Sequence, residues 1–176
     1  MLEVVAENYL CLYALLEMVL RDVGNNEFNQ YSLADYFGIT VPMDFSSDKI
    51  TNIKHSTEER EWGASLNIQN VNQFFNMNKI SLKAKYLTAN PFNEYEEAET
   101  MSDGKYIIYL YSYGHLNHEP VNYDVGHASL LMNYGSNRAK IYDPGPRNAG
   151  IKEISVSNLY DAIYDSRGGI LIIEKE

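Results

Sequence analysis

Apolar side chains recur at three- and four-residue steps from Cys11 through Ala14, Leu15, Met18 and Val19, which predicts an amphipathic helix. Asn8 stands where a cap is expected, and the helix runs to about Val23, closed by Gly24 and Asn25-Asn26. Ser32 reads as the cap of a second, short helix from Leu33 to Phe37. Gly38 stops it, and Pro42 follows where a helix cannot readily continue. Residues 44–61 are polar and mixed in charge with no clear period, a loop or a loose helical excursion. A third helix is predicted over 67–75, with Ile68, Val71, Phe74 and Phe75 on one side.

The period then changes. Leu82, Ala84 and Tyr86 alternate within 81–88, the two-residue repeat of a strand. Residues 94–100 predict a short acidic helix. Lys105 to Tyr111 is an unbroken apolar and aromatic run, as expected of a strand buried on both faces. A histidine-bearing loop, 114–125, precedes two strands that carry His127 and Asp143. Gly135-Ser136-Asn137-Arg138 is a good turn sequence to join them. A short serine-capped helix over 157–165 is broken by Gly168-Gly169, and Ile170 to Ile173 forms a last strand. Helices lead and an antiparallel sheet follows, so the fold class is α+β. With no repeat and no linker, 1–176 reads as one domain, its helical half about 1–80 and its sheet half about 81–176.

Composition narrows the function. The 176 residues are 45% hydrophobic and 22% charged, ordinary for a globular chain, and the net charge is −10. That field repels a phosphate backbone, so nucleic-acid binding is disfavoured, whereas a basic peptide or protein partner is compatible with it. No stretch approaches the roughly 18 apolar residues of a spanning helix, and the N-terminus lacks a signal-peptide pattern. One cysteine makes no internal disulfide, which fits a reducing cytosol and a cytoplasmic location. The oligomeric state is not encoded in any of these features.

That one cysteine, Cys11, opens the first helix, where the helix dipole favours negative charge. A lone thiol with a distant histidine and acid is a candidate nucleophile, base and orienter, because such groups meet in space and not in sequence. If residues 135–137 form a three-residue hairpin loop, Ser129 pairs with Asp143. Asp143 then shares a sheet face with His127, one diagonal step away. A register one residue different turns Asp143 to the opposite face. The bland alternatives are a core thiol, a structural histidine and an ordinary Asp-Pro-Gly turn. His115 and His118 lie three apart, but no second cysteine or clear fourth ligand joins them, so neither a metal nor a cofactor is expected. His55 reads as solvated, and Trp62 as packing more readily than lining a cleft.

Three stretches carry a resemblance to a known family: residues 11–20, 32–39, and the C-terminal run of 105–110, Gly126-His127 with its strand, Ile141-Tyr142-Asp143-Pro144 and 154–160. Together they resemble the papain-fold cysteine peptidases of the bacteriocin-processing, double-glycine-leader type and their broader relatives. Residues 44–80 have no counterpart in that likeness. The resemblance implies Cys11 as nucleophile, His127 as general base and acid, and Asp143 as orienter, acting on a peptide or protein substrate. Two positions depart from the pattern. Val5 stands where the family has an oxyanion glutamine, six residues before the cysteine, and Leu12 where it commonly has glycine. Asn8 or a backbone amide is the candidate replacement donor. Three functions stay open on the sequence: a thiol hydrolase, an acyltransferase with the same triad, and a silent peptide-binding domain.

Overall fold

The computed structural model describes residues 1–88, 104–117, 125–135 and 137–176, so the acidic helix expected over 94–100 lies outside the described residues. Helix α1 spans Cys11–Asp22, and its cap position is Leu10, which offers no side-chain hydrogen bond. Asn8 therefore does not cap it. Asn8 and Tyr9 instead occupy a tight turn closed by Leu10 N–H on the Glu7 carbonyl at 3.0 Å. Tyr9 sits there in the left-handed region at φ 67°, which the helix cannot absorb. The effect is to make Cys11 the first helical residue.

Helix α2, Gln30–Phe37, begins earlier than expected because Asn29 caps it. Ser32 is the reciprocal member of a capping box, its Oγ accepting the Asn29 N–H at 2.9 Å. Short elements that leave no period in the sequence lie within and on either side of the segment read as a loop, 44–61. Strands β1 (Ile39–Val41), β2 (Ile53–His55) and β3 (Gly63–Ala64) form a small sheet in the order β2-β1-β3, with a 3₁₀ turn at Glu59–Glu61. Helix α3, Ile68–Met77, starts after an Asn67 cap, close to where the pattern puts it.

Six antiparallel strands make the second half: β4 (Leu82–Thr88), β5 (Lys105–Ser112), β6 (Gly126–Tyr134), β7 (Arg138–Asp143), β8 (Gly150–Ser155) and β9 (Gly169–Lys175). Their spatial order is β4-β9-β5-β6-β7-β8. A short helix, α4 (Tyr113–Asn117), occupies part of the predicted histidine loop. Helix α5 (Val156–Asp165) is capped by Ser155. The resulting α+β architecture is the one the sequence predicts.

Both faces of the sheet are covered, which explains the unbroken apolar strands. In β5, Tyr106 and Ile108 join a core shared with α1, α2 and α3, while Ile107, Tyr109 and Tyr111 join a second core against α5. In β9, Leu171 and Ile173 divide from Ile170 and Ile172 in the same way. Strand alternation thus sends successive apolar residues into two different interiors. No helix among the described residues is long and apolar enough to cross a membrane.

Candidate active site

The N-terminus of α1 meets the start of β6 because the chain before it is tied down at several points. The Ala6 N–H donates to the Pro144 carbonyl at 2.8 Å, and the Tyr142 hydroxyl donates to the Val4 carbonyl at 3.1 Å. Gln30, buried at the start of α2, receives the Glu7 N–H at 2.9 Å and donates to the Val5 carbonyl at 3.0 Å. Residues 4–7 are thereby fixed both to the helical layer and to the turn after Asp143. Sequence reasoning passed over Gln30, since nothing in its local pattern separates it from a surface glutamine.

His127 and Asp143 meet as the same-face geometry requires, but by a different route from the one expected. Near the turn, Tyr134 pairs with Ala139 and Asn133 with Lys140, one residue away from the predicted register. A β-bulge at Met132 then restores it, so that Leu131 pairs with Ile141 and Leu130 with Tyr142. Asp143 is returned to the His127 face, and His127 Nε2 lies 2.8 Å from Asp143 Oδ1. The carboxylate is 2% exposed and the imidazole 9%. Oδ1 also accepts the Gly145 N–H at 2.9 Å, and Oδ2 accepts from Lys152 Nζ at 2.5 Å.

Cys11 is the only free thiol and is partly exposed. It lines the same cleft as His127 and interacts electrostatically with that imidazole. With Nε2 engaged by Asp143, Nδ1 is the ring nitrogen left for the sulfur. Burial pulls the His127 pKa down, but the bond to Asp143 and the electrostatic influence of Asp143 and Cys11 outweigh it and raise the group to about 9. Burial pushes the Asp143 carboxyl up. His127, Lys152 and the Gly145 N–H overcome that and hold it below the usual carboxylate range. Tyr111 and Tyr113 present ring edges to the imidazole at centroid distances of 5.8 and 5.1 Å. The Tyr111 hydroxyl is 2.6 Å from Ser129 Oγ, and burial raises its pKa, so this wall stays neutral.

The sulfur and the imidazole line a cleft with two lobes. One, of about 300 Å³, is bordered by Asn8, Tyr9, Trp62, Tyr113, Pro146 and Arg147. The other, of about 280 Å³, is bordered by Leu12, Arg60, Trp62, Leu110, Ser112 and Gly168. Asn8 therefore lies beside the thiol although it caps nothing, and Val5 is exposed and lines neither lobe. Trp62 lines both lobes, against the packing role expected of it; its indole N–H is satisfied by the Ser56 carbonyl at 2.9 Å and its ring meets Tyr9 edge-on. Ser112 is 2% exposed and its Oγ has no hydrogen-bond partner among the described residues.

Neither His55 nor His115 lines the cleft. His55 is exposed, its Nε2 3.0 Å from the Phe45 carbonyl oxygen, and His118 lies outside the described residues. Among the described residues no cluster of three His, Cys, Asp or Glu side chains is arranged to hold a metal ion.

No protein-family model matches the chain, and no curated protein does. Among solved structures it is similar to a crystal structure from Bacillus anthracis described as that of a C39-like peptidase. The TM-score is 0.62 at 15% identity, over 96% of this chain and 90% of that one. The likeness establishes the fold: the chain has the papain-like, C39-type peptidase fold, in agreement with the resemblance read from the sequence.

Proposed function

We propose that this protein is a thiol hydrolase of the peptidase or amidase type that works through an acyl-enzyme on Cys11. The observation that carries the proposal is one imidazole, His127, hydrogen-bonded to a buried carboxylate and lining the same cleft as the sole thiol. The thiolate is the form that attacks, and His127 is the base that lines the cleft with Cys11. Attack on an amide carbonyl carbon forms the C–S bond and places negative charge on the carbonyl oxygen. Collapse breaks the C–N bond, and His127 gives its proton to the departing amine. His127 then takes a proton from water as the hydroxyl adds to the thioester. Cleavage of the C–S bond releases the acid and restores the thiolate–imidazolium pair.

The oxyanion needs donors in place of the glutamine. The first-turn amides of α1, which receive no side-chain cap, and the side-chain amide of Asn8, which lines the cleft beside Cys11, are the candidate donors. Substrate chemistry follows from two fields. The −10 net charge draws basic chains from a distance. Close to the sulfur, the charged side chains lining the cleft besides His127 are Arg60 and Arg147. Arg60 is paired with Glu58 at 3.0 Å, whereas Arg147 has no ion pair among the described residues and is the cation that would meet a neutral or acidic substrate residue.

A peptide library incubated with the protein and with a Cys11→Ala variant, read by mass spectrometry, tests the proposal. Cleavage by the first and none by the second is expected. Transfer of the acyl group to an added amine, in place of hydrolysis, identifies an acyltransferase. Binding with no bond broken identifies a silent domain, and either result overturns the hydrolase reading.

A further inference from the structure

Lys152 enters the site from β8, and the strand register explains how. Lys152 pairs with Ile141, and Gly150 pairs with Asp143, so Lys152 and Asp143 are diagonal neighbours on one sheet face. Gly150, at φ 133°, puts no side chain over the carboxylate, and the space where its Cβ would stand is open. Lys152 Nζ reaches 2.5 Å from Asp143 Oδ2.

Most lysine–carboxylate pairs sit on the surface and contribute little, because water screens them. Here the carboxylate is 2% exposed and the lysine side chain 27%, so the pair is shielded from water on the acid's side. Its partner oxygen holds His127. The carboxylate therefore stands between two cationic groups, one a fixed ammonium and the other an imidazole that must give up its proton during turnover.

A general acid works best when its proton is held near the operating pH. A buried aspartate bonded to histidine alone holds the imidazolium strongly. A second cation on the same carboxylate repels the imidazolium and shares the carboxylate's charge. We propose that Lys152 is a positioning residue that tempers the His127–Asp143 pair: its charge on the second carboxylate oxygen limits how tightly the imidazole keeps its proton and so sets the upper pH at which His127 stays protonated. The functional meaning rests on the hydrolase reading above, but the electrostatic coupling does not.

The test reads His127 directly, by NMR titration of its ring resonances in the wild-type protein, Lys152→Met and Lys152→Arg. In Lys152→Met the Oδ1 bonds to His127 and the Gly145 N–H remain, while the repelling charge is gone. The His127 midpoint is expected to rise by about one unit, the scale of a neighbouring unit charge, and to return to the wild-type value in Lys152→Arg. Lys152→Gln, which keeps reach without charge, repeats the measurement should the methionine variant fold poorly. A midpoint unchanged in the neutral variants makes Lys152 structural only. A midpoint that falls makes it a clamp on the hydrogen bond and not a tempering charge. Either outcome overturns the inference. Because the titration needs no substrate, an absence of peptide cleavage would sink the hydrolase reading and leave this coupling to be judged separately.

Discussion

Asp143 meets His127 on the diagonal of two neighbouring strands, Nε2 to Oδ1 at 2.8 Å, because Met132 is bulged out of the ladder between them. Continued without the bulge, the register at the turn would set Leu130 opposite Asp143 and aim the carboxylate away from the imidazole. The bulged Met132 side chain is 39% exposed.

Deleting Met132 therefore leaves the site intact. Asn133 would still face Lys140 and Leu131 would still face Ile141, now in a regular ladder. The expected result is a His127 titration midpoint within about half a unit of the wild-type value, a shift of less than 1 kcal/mol. Loss of the elevated midpoint in a folded deletion variant would show that the bulge serves the site in some way other than register.

Replacing the carboxylate separates its charge from its shape. Asp143→Asn keeps an acceptor for His127, whereas Asp143→Ala keeps nothing and leaves Lys152 without its partner. In both variants the His127 midpoint should fall from about 9 toward its ordinary 6.5. Cleavage should fall on the order of 10⁴-fold in the asparagine variant, the scale of replacing a triad's orienting acid by its amide. The alanine variant should lose at least about tenfold more, since an oriented acceptor is worth about 1.4 kcal/mol. Equal losses in the two would mean that charge alone matters.

Stability follows pH through the same pair. His127 has a folded pKa raised from 6.5 to about 9, so its contribution is fully present below 6.5 and is lost as pH rises through about 9. Asp143 has a lowered folded pKa. Its contribution is present above its ordinary 3.8 and is lost as pH falls through the depressed value. The pair thus stabilises most between about pH 4 and 6.5, and up to about 3 kcal/mol is lost between pH 6.5 and 9. Urea unfolding of the wild-type protein and of His127→Gln at pH 6 and pH 9 measures this. The wild type should lose more stability than the variant over that interval, and parallel losses would refute the assignment.

Much of this site was legible in the chain, and the reasons differ by residue. Cys11 stood out because it is a lone thiol at a helix start, and His127 and Asp143 because each lies on an apolar strand with a defined turn between them. The bulge that joins them was not legible, since Met132 breaks no pattern of apolar and polar positions. The Asn8 cap was misplaced because a left-handed Tyr9 is invisible in sequence, where only glycine or asparagine would mark that backbone. β1, β2 and β3 are three, three and two residues long, too short to show a period. Lys152 reads as an ordinary exposed lysine until the β7–β8 register sets it diagonally from a carboxylate, and β8 itself carried no strand signal strong enough to predict that register.

Alkylation of Cys11 by iodoacetamide as a function of pH tests the central claim most directly, because only a thiolate held by a protonated His127 reacts fast in mild acid. Labelling followed by mass spectrometry should be rapid at pH 6 in the wild-type protein and slower by at least about tenfold in His127→Ala, which removes the imidazolium. Equal rates in the two proteins, rising only above about pH 8 as for an ordinary thiol, would contradict it.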